Sequence, residues 1–369
     1  MLRYRTPTQL KGVRCRGCGR ISPLISWALG ACPDCIRDDP MRVLPGIKQA
    51  HTRSRRAFGL PLEPPRATDG VPCTFCINEC RIPEGGRGYC GLRTNRGGKL
   101  VHLGGTRRLG ILQWYYDPLP TNCVAQWACA ESTHYGYKNL AVFYGSCSFN
   151  CLYCQNWSYR HLAAGLAPRL SAEELAEQVD EKTACICFFG GDPSPQMPHA
   201  IATAELARKK AGSRSLRLCW ETNGSLHPAL LRRAARLALG SGGTIKFDLK
   251  AWDDNLQQAL CGVTNRRTLE NFQWLAEFGR QRPELPLVVA STLLVPGYVD
   301  VQEVAPLARF IAAIDPAIPY SLLAFHPQFY LPDLPTTSRS HALRCLQAAR
   351  EAGLTNVRIG NIHLLSEAY

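Results

Sequence analysis

Three cysteines on one short stretch, Cys147-x3-Cys151-x2-Cys154, constrain this chain more than any other feature. They follow an apolar run, Asn139-Leu140-Ala141-Val142-Phe143-Tyr144-Gly145, that reads as a buried strand with the thiols on the loop at its C-terminal end. Three thiolates so placed can hold three irons of a cubane [4Fe–4S] cluster and leave the fourth iron without a protein ligand. An open iron implies an exogenous ligand, by the logic that separates open catalytic metal sites from closed structural ones.

Two further groups contain four cysteines each. Cys15-x2-Cys18 and Cys32-x2-Cys35 have the spacing of two knuckles that close one tetrahedral zinc site, with Gly17 and Gly19 allowing the tight turn. Residues 1–70 are poor in large apolar side chains, so a metal is expected to stand in for a core there. The second quartet, Cys73, Cys76, Cys80 and Cys90, suits either zinc or a second iron–sulfur cluster, in a glycine-rich module with little helix or strand. The other seven of the 18 cysteines (Cys123, Cys129, Cys185, Cys187, Cys219, Cys261 and Cys345) read as small buried hydrophobes. Cys185-x-Cys187 presents both thiols to one face of a strand, without the spacing of a ligand pair.

Hydrophobic residues make up 46% and charged residues 20%, which excludes a disordered chain and allows a sizeable core. No apolar run approaches the ~20 residues of a membrane span, and the first residues lack the apolar core of a signal peptide. A cytoplasmic, reducing location is therefore expected, where thiols at this spacing are metal ligands rather than disulfides. The net charge is +14, and residues 1–70 hold 13 basic against 5 acidic residues. Such a basic end suits an acidic partner, a protein or RNA substrate, or serves only as a solvated tail.

The cysteine loop, with Tyr153 before its last thiol, resembles the CxxxCxxC signature of the radical S-adenosylmethionine (SAM) superfamily. Phe188-Phe189-Gly190-Gly191-Asp192-Pro193 is similar to that family's glycine-rich segment for the SAM amino group, with Asp192 where glutamate is usual. Trp220-Glu221-Thr222-Asn223-Gly224 resembles the DTNG strand end of the pyruvate formate-lyase activating enzymes. Phe247-Asp248-Leu249-Lys250 resembles their DLK strand, Val295-Pro296-Gly297 their VPG segment, and Phe325-His326-Pro327 a late strand ending in histidine. The resemblance implies that Glu221, Asn223, Lys250 and His326 bind SAM, and that Tyr153 contacts its adenine. It also implies a monovalent cation between Glu221, Thr222 and Asp248. Residues 71–369 resemble the AmmeMemoRadiSam-type subgroup, with Ile77 and Asn78 replacing the proline and histidine usual after the second cysteine.

Independently of that resemblance, strand-like runs near 140–145, 184–189, 216–220, 244–249, 286–294 and 319–325 alternate with six amphipathic segments. Those segments span 171–182, 198–211, 227–239, 265–279, 301–313 and 338–351, the first opening with a Ser171/Glu174 capping box. The pattern predicts an α/β fold, a partial (β/α)6 TIM-type barrel over 136–369, preceded by a zinc-ribbon-like segment (1–70) and a cysteine-rich module (71–135). The function that the resemblance implies is reductive SAM cleavage to a 5′-deoxyadenosyl radical that takes hydrogen from a substrate, with electrons from a flavodoxin or ferredoxin. Two alternatives stand beside it: activation of a glycyl-radical enzyme, and a nucleic-acid-binding zinc protein with a purely structural barrel. His134, His199, His227, His341 and His363 have no ligand spacing and read as ordinary surface or core residues.

Overall fold

The computed structural model describes residues 12–121 and 123–369. The first 11 residues, and with them part of the basic stretch and the segment read for a signal peptide, lie outside the described residues. Three short antiparallel hairpins come first: β1 (Val13–Arg14) with β2 (Ile21–Ser22), β3 (Val71–Pro72) with β4 (Arg81–Ile82), and β5 (Arg93–Arg96) with β6 (Lys99–His102). Between the first two lie α1 (Pro33–Asp38) and α2 (Pro40–Arg56), each with proline in its first turn, where the missing N–H costs nothing.

A nine-stranded sheet follows. Its strands are β7 (Leu109–Pro118), β8 (Lys138–Tyr144), β9 (Arg169–Ser171), β10 (Thr183–Gly190), β11 (Arg217–Thr222), β12 (Ile245–Asp248), β13 (Val288–Leu294), β14 (Tyr320–Ala324) and β15 (Val357–Gly360). Their order is β15-β14-β13-β12-β11-β10-β8-β7-β9, parallel from β8 through β15, with β7 antiparallel at the β8 edge. All six predicted barrel strands are present, and β15 adds a seventh parallel one.

Helices α3 (Tyr159–Gly165), α4 (Ala172–Glu177), α5 (Met197–Ala211), α6 (Pro228–Ser241), α7 (Asp254–Cys261), α8 (Arg266–Gly279), α9 (Val301–Ile314) and α10 (Arg339–Glu351) connect the strands. Successive strand residues face opposite sides. Leu140, Val142, Ile186, Phe188, Leu218 and Trp220 pack outward against alanine-rich helix faces such as Ala200, Ala204 and Ala207. The capping box forms as predicted, with Ser171 N–H donating to Glu174 Oε2 (2.8 Å) and Glu174 N–H to Ser171 Oγ (3.0 Å). α4 stops at Glu177, short of the predicted 182, because Asp180 N–H bonds Thr183 Oγ1 (3.1 Å) and turns the chain into β10.

The segment between β7 and β8 crosses the barrel interior. Trp127 Nε1 donates to Ser321 Oγ of β14 (3.0 Å), the Arg358 guanidinium of β15 lies over the Trp127 ring, and Glu131 pairs with Arg217 of β11. The described part of residues 1–70 is docked rather than free-standing. Ile25, Leu29, Ile36, Val43 and Ile47 share an apolar cluster with Phe149, Leu152, Leu260, Tyr298 and Phe325 at the barrel mouth. Tyr298 Oη accepts from Ser26 N–H (2.9 Å) and donates to the Ala31 carbonyl (3.1 Å). Packing against the barrel thus supplies core that the segment's own composition does not.

Candidate active site

The loop after β8 is fixed on both sides before any metal is considered. Asn150, inside the cysteine loop, donates to Ser54 Oγ (2.9 Å) and His51 Nδ1 (3.1 Å) of α2, and its Oδ1 accepts from Arg160 Nη2 (2.9 Å). His51 Nε2 bonds the Ala259 carbonyl (3.0 Å). Burial holds the His51 imidazole neutral, with its pKa lowered to about 4. Backbone bonds from Asn150 N to Cys261 O and from Leu152 N to Leu260 O tie the loop to the end of α7.

Cys147, Cys151 and Cys154 face a cavity that also contains Tyr153, Gly190, Gly191, Asp192, Glu221, Thr222, Asn223, Asp248 and Lys250. Gly190 has φ +114°, and a Cβ there would meet the Tyr144 nitrogen at 2.4 Å, so only glycine lets β10 leave the sheet at this point. Asp192 is almost fully buried. Its Oδ1 accepts from Thr222 Oγ1 (2.8 Å) and Asn223 N–H (2.9 Å), and its Oδ2 from Ser194 N–H (2.9 Å). The shorter acid therefore ties together the loops after β10 and β11. Asn223 Nδ2 donates to Ser148 Oγ (2.8 Å) and points at Cys147 Sγ (3.8 Å). His326 follows β14 directly at the same rim and is partly exposed, but it is not among the residues that line the cavity.

A lysine that the sequence reading passed over organises the charged wall. Lys246 Nζ lies 3.0 Å from both Glu221 Oε2 and Asp248 Oδ1, while Lys250 Nζ lies 2.8 Å from Asp248 Oδ2. The Lys246 ammonium thus stands between the two carboxylates expected to flank a monovalent cation. Burial alone would raise the Asp248 carboxyl, but Lys246 and then Lys250 outweigh it and hold it well below the usual range. Burial opposes charge on both lysines, yet Asp248 leads their carboxylate partners in keeping them protonated. Cys261 is buried, as expected, and its Sγ lies 3.5 Å from Cys151 Sγ and from Tyr153 Oη.

The donor set fits a thiolate cluster. Arg160 is fully buried, its Nε and Nη1 have no partner, and it faces Cys154 and Cys147. A buried guanidinium with unpaired N–H groups is costly unless an anion meets it, and a thiolate-ligated cluster is such an anion. The two quartets differ in geometry. The four thiols of Cys15, Cys18, Cys32 and Cys35 lie within 4.8 Å of one another, with Cys15–Cys32 at 3.7 Å and Cys18–Cys32 at 3.8 Å. Zinc with four sulfurs at ~2.3 Å sets them about 3.8 Å apart. Burial alone would raise the Cys15 thiol, but N–H groups of Cys18, Cys32 and Gly17 bring it down to about 6.

Cys73, Cys76 and Cys80 are buried beside the cluster loop. Asn78 of this module donates to the Ser148 carbonyl (2.6 Å), and Ile77 N–H to the Ser225 carbonyl (2.9 Å). Tyr89 N–H points at Cys80 Sγ (3.5 Å) and Arg93 Nη1 at Cys90 Sγ (3.9 Å). Arg93 is fully buried, with Nε and Nη2 unpartnered. Among the described residues, the Cys15 group is the one set of potential ligands gathered within 4.8 Å; the second quartet and the Cys147 triad are spaced more widely.

Residues 141–311 match the Radical SAM superfamily. The chain is 26% identical over 298 residues to an uncharacterised protein of Methanocaldococcus jannaschii, covering 79% of this chain and 81% of that one. It is 35% identical over 142 residues to the isethionate sulfite-lyase activating enzyme of Desulfovibrio desulfuricans, covering 38% of this chain and 41% of that enzyme. It is also 27% identical over 209 residues to the pyruvate formate-lyase 1-activating enzyme of Escherichia coli, covering 54% and 78%. Among the described residues no helix is long and apolar enough to cross a membrane. Residues 141–311 carry a radical SAM domain, and with the activating-enzyme relatives this makes the chain an enzyme of radical SAM type rather than a zinc protein with a purely structural barrel.

Proposed function

We propose that the protein binds SAM in the cavity between the Cys147–Cys154 loop and the ends of β10 to β12, and uses it to take a hydrogen atom from a substrate. The convergence of three thiols from one loop with residues from three later strand ends carries this reading. A [4Fe–4S] cluster supplies, when bound, an open iron for SAM and the electron that splits the sulfonium bond to give a 5′-deoxyadenosyl radical. Cys147, Cys151 and Cys154 are its ligands, and Arg160 offsets their charge. Gly190 and Gly191, packed closely against the Tyr144–Ser146 backbone, present their own backbone groups to the amino group of SAM. Glu221 and Asp248, held in place by Lys246, together with Lys250 and Asn223, orient its ribose and carboxylate, and Tyr153 contacts the adenine. His326 at the rim completes the set.

The Cys15–Cys35 quartet binds zinc in this reading. The wider Cys73–Cys90 quartet, with the unpaired Arg93 against it, takes an iron–sulfur cluster. Electrons come from a small reducing protein such as a flavodoxin or ferredoxin, and the 18 unbridged cysteines suit the cytoplasm. Because two relatives bear the names of activating enzymes, a protein substrate is favoured, and a glycyl-radical partner enzyme is the second reading. A glycyl EPR signal on mixing with that partner would select it. The primary test is anaerobic reconstitution with iron and sulfide, then dithionite and SAM. The wild type should form 5′-deoxyadenosine, and the Cys147/Cys151/Cys154→Ala variant should lose about four irons and all product. Product at the wild-type rate from that variant would sink the assignment.

A further inference from the structure

Each thiol of the Cys147 triad is met by a hydrogen-bond donor, and the donors differ in kind. Phe149 N–H points at Cys147 Sγ (3.3 Å), which also lies 3.8 Å from Asn223 Nδ2, and the Arg160 guanidinium faces Cys154. Cys151 is met instead by another thiol, that of Cys261, 3.5 Å away. Cys261 closes α7 and is fully buried. Its backbone is pinned to the cluster loop: its carbonyl accepts from Asn150 N–H (2.9 Å), and the neighbouring Leu260 carbonyl accepts from Leu152 N–H (3.0 Å). The helix ends there because Gly262 takes φ +71° and turns its N–H back to the Gln258 carbonyl (2.8 Å).

Chemistry fixes the direction of the sulfur–sulfur hydrogen bond. A cysteine that ligates iron does so as a thiolate and has no proton to give. Cys151 can then only accept, so the single proton of the Cys261 thiol goes to Cys151 Sγ. That leaves the Cys261 sulfur as acceptor for Tyr153 Oη, also 3.5 Å away, and a phenol is a better donor than a thiol. The result is a buried chain from Tyr153 O–H through Cys261 S–H to Cys151 Sγ, in which each bond polarises the next. A separate feature points to an anion at its receiving end: the buried Arg160, with Nε and Nη1 unpartnered, faces the other two thiols of the triad. Cys261 does not line the cavity that receives SAM, so it reaches the chemistry only through Cys151.

We propose that Cys261 is a positioning residue that raises the reduction potential of the SAM-binding cluster by donating its S–H to the Cys151 ligand. The inference rests on the reading that Cys147, Cys151 and Cys154 hold that cluster. One-electron reduction adds a negative charge that is shared by the iron and its sulfur ligands. A donor to a ligand sulfur therefore stabilises the reduced form more than the oxidised one, and such hydrogen bonds are among the levers that set cluster potentials. Taking the donor away must make the cluster harder to reduce.

The test is potentiometric EPR on the full chain, reconstituted anaerobically with iron and sulfide and free of SAM. The signal followed is the one missing from the Cys147/Cys151/Cys154→Ala variant, which separates this cluster from any held by the Cys73–Cys90 quartet. If that variant lacks no signal, the cluster assignment falls and the role of Cys261 falls with it. Cys261→Ala should keep the iron content of the wild type and shift the midpoint downward. At a fixed potential its ratio of reduced to oxidised cluster should be about tenfold lower, ~59 mV for a one-electron couple. Cys261→Ser keeps an O–H donor and should restore most of that ratio. An alanine midpoint at or above the wild-type value overturns the proposal, as does a serine midpoint displaced as far as that of alanine. Should Cys261→Ala not take up iron, Cys261→Val fills the space and is measured in its place. Loss of the cluster from both would make Cys261 a ligand or a structural prop, and that also overturns the proposal.

Discussion

Replacing Lys246 by methionine tests how the charged wall of the cavity is held. The change keeps the length of the side chain and removes an ammonium that lies 3.0 Å from each of two carboxylates, with only 6% of its side chain exposed. Breaking a buried ion pair by removing one partner costs ~3–5 kcal/mol. Glu221 and Asp248 retain 19% and 26% exposure toward the cavity, so water recovers part of this and we expect about 2–4 kcal/mol. With an unfolding entropy of ~2.1 cal/mol/K per residue over 369 residues, that lowers Tm by roughly 3–5 °C. The two carboxylates would then face each other without the ammonium between them, oxygen donors that suit a hard monovalent cation. We therefore expect wild-type SAM binding to be the same in potassium and tetramethylammonium buffers. Lys246→Met should bind SAM about tenfold more weakly in tetramethylammonium, a loss of ~1.4 kcal/mol, and recover in potassium. Calorimetry and SAM isotherms in both buffers read these effects. A wild type that itself requires potassium would refute the idea that Lys246 takes the place of the cation.

Further outcomes follow from other contacts. Lys250→Ala should weaken SAM binding roughly ten- to hundredfold while leaving the iron content unchanged, and wild-type affinity would remove Lys250 from the site. Cys15→Ala should release one zinc per chain and also slow SAM cleavage, because α2 holds Asn150 through His51 and Ser54; unchanged turnover would show the two to be uncoupled. His51 is held neutral in the fold with its pKa near 4, while the unfolded chain takes up its proton near ~6.5. Its contribution is whole above pH ~6.5 and falls as pH drops toward 4, by about 2 kcal/mol at pH 5. Urea unfolding at pH 5 and 7 should show a smaller pH dependence in His51→Gln by that amount, and equal slopes would contradict it.

Much of the fold was legible because parallel strands buried on both faces leave near-continuous apolar runs, and all six were found. β15 was missed because Val357-Arg358-Ile359-Gly360 is four residues long with an arginine inside it. α2 was missed because the sequence Pro40–Arg56 is basic and contains Pro45, so it was read as part of a metal-dependent segment. Its buried Val43, Ile47, Ala50, His51 and Ser54 nevertheless repeat at intervals of three and four residues, which is helical periodicity. Two of those buried positions are polar, and they are the ones that reach the cluster loop.

The candidate site was legible for a different reason. In a parallel barrel every strand ends on the same rim, so motifs scattered over more than a hundred residues of sequence meet in one cavity. That argument reaches only residues at strand ends. Lys246 lies inside β12, two residues before Asp248 and therefore on the same face, and its significance requires knowing that Glu221 is its register partner. The interior thiols show the same limit more strongly. Cys185 and Cys187 could be placed on one face, but nothing local to residues 119–137 indicates that this segment turns into the barrel and brings Cys123 and Cys129 against them. That two more thiols from a crossing segment come to lie against this strand pair is visible only in the tertiary path.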